Sequence, residues 1–227
     1  MLTKNFLEEL FLHCKGRDLS FADEGPGIIL RHDVDDKLMH SYAIAELEAK
    51  HGVRSTFFIL NTAAYWAGRE HRSNLFAILR EMQDMGHRIH WHNNALASFI
   101  KYQKTEALHT LIAGPIGLMR EEGLIVTGSA SHGDKLCREH GFINYEIFKE
   151  CRRTREADNF PTPKTPLPIG TVSMKDYGLE YEAYHVPYNR YYSESGGKWN
   201  TPEPTPEELG DVKDRVQILI HPQWWPL

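Results

Sequence analysis

Apolar positions along the 227-residue chain recur in two rhythms, short unbroken runs and longer stretches spaced by three or four. Ile28-Ile29-Leu30, Arg54 to Leu60 and Arg215 to His221 have the length and content of buried strands, and His87 to His92 reads as a strand of mixed character. Between them, Leu38 to Lys50 turns Leu38, Ala43, Ile44 and Leu47 inward and stops at Gly52. Ser73 to Met85 does the same with Leu75, Ile78, Leu79 and Met82, and stops at Gly86. Strand, helix, strand, helix, strand over the first ninety or so residues predicts parallel strands with helices outside, an α/β layout whose chemistry gathers at the carboxyl ends of the strands.

The remaining pattern is less regular. Met1 to His13 predicts an amphipathic docking helix, with Leu2, Phe6, Leu10 and His13 on one stripe and Lys4, Glu8 and Glu9 turned away. A long helical stretch from about Leu96 to Glu122 is expected to break at Gly114-Pro115. A strand near Leu124 to Val126 should follow, opening into a small-residue loop, Gly128 to Asp134, that carries His132. The three prolines between Lys149 and Pro168 predict loop, Thr171 to Val186 reads as strand-like, and Pro187 to Glu208 reads as a long irregular segment.

Length and composition narrow the partners. A chain of 227 residues is expected to form one domain, 1–227. The net charge of -5, with no run of Lys or Arg, argues against nucleic acid. Glu8 and Glu9 fall where a secretory signal would need its apolar centre, and no segment has the length of a membrane span. Cys14, Cys137 and Cys151 are odd in number and lack metal-type spacing, which suits a reducing, cytoplasmic setting. The oligomeric state is left open.

The densest chemistry is Arg31-His32-Asp33-Val34-Asp35-Asp36. Alternation along a strand puts Asp33 and Asp35 on one face, where two carboxylates call for a cation, a shared proton or water. As a segment by itself it reads equally as a solvated turn with a capping Asp. His90 and His92 share a strand face and so can converge on one metal, although a core imidazole is the competing reading for His90. His87 points the other way and reads as structural. His132 sits among Gly and Ser, where it has no packing role. His221 ends the last strand, placed for proton transfer. Trp224 and Trp225 after it either wall a site or cover a barrel end.

Taken in order, Arg31-His-Asp-Val-Asp35, Gly86-His-Arg-Ile-His-Trp-His92, Ser131-His-Gly133 and Leu219-Ile-His221-Pro222 resemble the NodB-homology polysaccharide deacetylases. The likeness is to their intracellular branch with a His-Asp-Val-Asp motif, and it spans about Ile28 to Trp225. It implies a distorted (β/α) barrel and a divalent metal, zinc before others, that hydrolyses the N-acetyl group of an amino sugar. Carried across, Asp33 would be the general base, Asp35 and His92 metal ligands, and His221 the general acid. Where most members have a second histidine ligand, this chain has Leu96. His132 is the first candidate to replace it and His90 the second, with Asp36 able to stand in for Asp35. Glu194, in Tyr192 to Trp199, stands where the resemblance expects Asp.

Two other classes compete. A metal-dependent glycosyltransferase would use Asp33 and Asp35 on a sugar nucleotide but leaves the histidines without work. A sugar-binding homologue without activity would follow if the loss at Leu96 had cost the metal. The expected partner of the deacetylase is an amino-sugar-containing small molecule or glycan, in the assembly of a surface polysaccharide.

Overall fold

A computed structural model of the chain describes residues 2–67, 69–102, 107–153, 160–200 and 202–225. Its first elements are helix α1 (Lys4–Cys14), strands β1 (Asp18–Leu19) and β2 (Gly27–Val34), helix α2 (Leu38–His51), strand β3 (Thr56–Leu60), helix α3 (Arg69–Asp84) and strand β4 (Arg88–Asn93). Helices α4 (Ala95–Lys101) and α5 (Leu108–Glu121), strand β5 (Gly128–Ser131), helix α6 (Lys135–His140) and strand β6 (Tyr181–Glu182) follow. Strands β7 (Arg190–Ser195) and β8 (Lys198–Trp199), helix α7 (Pro206–Leu209) and strand β9 (Arg215–Ile220) complete the α/β chain. Contacts divide it into two compact units. The first is Met1–Ile59, Ala63–Ile89 and Pro187–Leu227, and the second is Leu60–Thr62 and His90–Val186, so the division falls inside β3 and β4.

In the first unit β2 is the hub, with β1, β3 and β9 paired to it in parallel. All eight of its residues are buried. Gly27 to Leu30 and Val34 explain most of that by apolarity, and Arg31, His32 and Asp33 are tolerated because their side chains are paired, as described below. The turn after β2 is tight. Lys37 takes a left-handed backbone (φ 45°, ψ 61°) at the N-terminus of α2, and Asp36 accepts the Lys37 N–H at 2.8 Å. Helix α2 ends where Gly52 closes it at φ 71°, as the sequence predicts. Helix α1 rotates its buried stripe to Leu7, Leu10, Phe11 and Cys14, away from the expected Leu2 and His13. Phe6 is at the edge of that stripe, where its ring meets Trp199 and Trp225 at centroid distances of 6.0 and 5.9 Å. Trp225 is therefore a core residue, whereas Trp224 is half exposed.

The expected loop Pro187 to Glu208 contains a hairpin, with irregular chain on either side of it. Strand β7 joins β9 in parallel, and β8 returns on β7 through a two-residue turn, Gly196-Gly197, with φ 62° and 77°. Paired positive-φ residues match the twist of a tight hairpin, and that Gly-Gly between strand-like residues was the legible signal.

In the second unit β4, β5 and β6 run parallel. The strand expected at Leu124 to Val126 forms instead at Gly128–Ser131, a run of small residues. A Cβ at Gly128 would lie 2.3 Å from the Tyr181 ring, so β6 packs too closely for any larger residue there. Helix α5 runs through Pro115 without a break, and the helical stretch divides between Lys101 and Leu108, where 103–106 lie outside the described residues. Thr171 to Val186 contributes two strand residues with short 3-10 turns around them. The described part of Lys149 to Pro168 is irregular, as its prolines predict.

Candidate metal centre

The carboxyl end of β2 holds Asp33 and Asp35 differently. Asp33 is buried on the same strand face as Arg31, whose guanidinium donates Nε–H to Oδ1 at 2.8 Å and Nη2–H to Oδ2 at 2.7 Å. This planar, two-point grip fixes the carboxylate's orientation and balances its charge out of water. Asp35, beyond the strand end, is partly exposed, and Gln223 Nε2 reaches its Oδ2 at 3.4 Å.

Parallel pairing of β2 with β9 sets Ile220 opposite His32, which brings the next residue, His221, level with Asp33. Its Nε2 lies 4.0 Å from Asp35 Oδ2. Its Nδ1 faces the Glu194 carbonyl oxygen at 2.6 Å, an acceptor only, so Nδ1 carries the proton. Glu194 is fully buried on β7, and its Oε2 accepts the His221 backbone N–H at 3.0 Å while Oε1 accepts Gly197 N–H at 2.7 Å. Burial presses the His221 pKa down. The Glu194 hydrogen bond and the charges of Asp33, Asp35 and Glu194 together outweigh it, and the net shift is upward.

In the second unit, β4 pairs with β5 so that His92 stands beside Ala130 and Asn93 beside Ser131. His132 follows β5 two residues after Ala130 and so returns to the face that His92 occupies. His92 Nδ1 lies 2.7 Å from the Ala130 carbonyl oxygen, which cannot donate. The Nδ1 proton is thereby committed, and in the neutral ring Nε2 keeps its lone pair. His132 Nδ1 faces that Nε2 at 3.3 Å, with the rings edge to face at 74°.

Within the second unit, His92 and His132 therefore set two imidazole nitrogens 3.3 Å apart. Imidazoles are donors that zinc accepts, and a His92 ring whose Nδ1 proton is spent on a carbonyl is oriented as a ligand ring would be. His90, expected as a second candidate ligand, is placed otherwise. Its Nδ1 receives Thr127 N–H at 3.4 Å and its ring meets Tyr181 edge-on at 5.7 Å. Asp36 is exposed and serves its turn. His87 is buried in a core network, as its opposite strand face predicts.

Arg31, Gln223 and the Ala130 carbonyl took no role in the sequence reading. Arg31 had a signal in its spacing of two from Asp33, while a main-chain carbonyl carries none. Glu194 was marked only as a departure, and the strand that positions it was read as loop. No family model and no curated protein matches the chain.

Proposed function

We propose that this protein is a metal-dependent hydrolase that removes an N-acetyl group from an amino sugar, built on a distorted barrel of the NodB type. What carries the reading is a pair of features, one in each unit: the His92–His132 imidazole pair, with ring nitrogens 3.3 Å apart, and His221 Nε2 4.0 Å from Asp35. A divalent ion held by the two imidazoles would supply Lewis acidity, which would polarise a carbonyl and make water acidic near neutral pH. The rest is work for side chains.

Asp33 takes the proton of the attacking water, its carboxylate held in orientation by Arg31. As the water oxygen bonds to the acetamide carbon, the C–N bond breaks, and the amine nitrogen takes its proton from His221 Nε2. Acetate and a free amine result. Glu194 holds the His221 main chain and the Nδ1 side of its ring, so that Nε2 is the atom turned toward Asp35.

A sugar-nucleotide transferase using both aspartates on one ion is less well supported, because the two-point Arg31 grip already balances the Asp33 charge without an ion. The test is acetate release from N-acetylated amino sugars by metal-loaded protein. Asp33→Asn and His221→Ala should each lower kcat by about 10²- to 10⁴-fold. A wild-type protein that binds no divalent ion, or an Asp33→Asn variant with full activity, would sink the reading.

A further inference from the structure

Asn144 lies twelve residues beyond His132 and has no charge to attract notice, yet it is a fully buried residue with its whole amide engaged. Its Nδ2 donates to the His132 carbonyl oxygen at 2.8 Å and to Asn94 Oδ1 at 3.1 Å, and Cys137 Sγ lies 3.5 Å away. On the other side, Oδ1 accepts Ala97 N–H at 3.2 Å. This orientation is dictated by chemistry. Turned over, the amide would set its oxygen against a carbonyl and its N–H groups against the Ala97 N–H. The Asn144 carbonyl oxygen in turn accepts from Asn93 Nδ2 at 3.2 Å, and Asn93 O accepts His132 N–H at 2.9 Å. One residue thus ties the main chain of His132 to the residue that follows His92.

Resting on the metal reading above, we infer that Asn144 is a positioning residue that holds His132 as a metal ligand against His92. His132 is a loop residue, and a Gly follows it. Strand pairing sets its face but leaves its reach to be fixed, and the Asn144 amide does that from the carbonyl side. Outer contacts of this kind govern how well a ligand is preorganised, and their loss weakens metal affinity by about 10- to 100-fold.

The test is titration with cobalt(II), read by its ligand-field absorption, on wild type, Asn144→Ser, His132→Ala and the double variant. Asn144→Ser should weaken binding about 10- to 100-fold and change the absorption, yet add nothing in the His132→Ala background, because there the ligand it positions is gone. Met119→Ala, a buried change in α5, serves as a destabilised control and should leave cobalt affinity unchanged. If Asn144→Ser fails to fold, Asn144→Asp keeps the shape and the Ala97 acceptor while removing the donor to His132, and the same loss is expected. A folded variant with wild-type affinity and spectrum, or an equal loss with and without His132, overturns the inference. A wild type that takes up no cobalt overturns the metal reading itself.

Discussion

Two groups of histidines in this chain make opposite use of the same ring. In the core of the first unit, His32 Nε2 bonds Glu48 Oε1 at 2.8 Å, Ser55 Oγ donates to Glu48 Oε2 at 2.6 Å, and His87 Nδ1 receives Ser55 N–H at 3.2 Å. His87 Nε2 then donates to the Ala45 carbonyl at 3.0 Å, and His32 stacks on Phe57 at 4.4 Å. The protein supplies the partners, and the rings are locked. His92 and His132 have instead two ring nitrogens 3.3 Å apart, with the Nδ1–H of His92 spent on a carbonyl. The first group joins imidazoles to a carboxylate and main-chain atoms of the core; the second sets two imidazoles against each other, the arrangement the proposed metal site would use. Strand position alone does not separate them, since His32, His87 and His92 all flank or occupy buried strands.

Breaking the ligand pair should give the larger effect. His92→Ala or His132→Ala is expected to abolish stoichiometric zinc binding, measured by metal analysis after dialysis, while the metal-free Tm moves little. Zinc at about a hundred times its Kd should stabilise wild type by about 2.7 kcal/mol in thermal unfolding, and this gain should be absent in both variants. Should His132→Ala keep the gain, the contrast between the two groups collapses.

The core group should respond in stability. Glu48→Ala leaves His32, Ser55 and His87 facing a buried gap, and a loss of about 3 kcal/mol in urea unfolding is expected. Metal uptake per folded molecule should be unchanged. A Glu48→Ala protein of wild-type stability would mean that the network contributes nothing net.

A smaller effect distinguishes the groups by pH. Burial holds the His87 pKa below its ordinary value, against the pull of the Glu48 charge and the Ala45 hydrogen bond, with His32 and Arg88 adding to the decrease. A depressed histidine pKa means that below about pH 6.5 the unfolded chain binds a proton that the native one refuses. Stability should therefore fall as pH drops through that value, by at most about 1.4 kcal/mol per pH unit from this residue, and its contribution should be level above it. Urea midpoints between pH 5 and 8 check this, and His87→Gln should flatten the slope. An unchanged slope would assign the dependence to other groups.

The α/β alternation, the carboxyl ends of α2 and α3, and the buried strands β2, β3 and β9 were legible in the sequence, because period and capping glycines act locally, and residue type marked Asp33, Asp35, His92, His132 and His221 as the candidates for chemistry. What was illegible depended on partners distant along the chain. A strand of Gly and Ser forms at β5 because Tyr181 lies against it, and Arg31 grips Asp33 because both are shut from water. Glu194 meets His221 because β7 pairs with β9 across more than twenty residues of chain. Composition set which side chains were available for chemistry. Only the tertiary structure decided which partner each imidazole meets, a buried carboxylate for His32 and a second imidazole for His92, because hydrogen-bond pairing belongs to a residue's surroundings and not to its place in the chain.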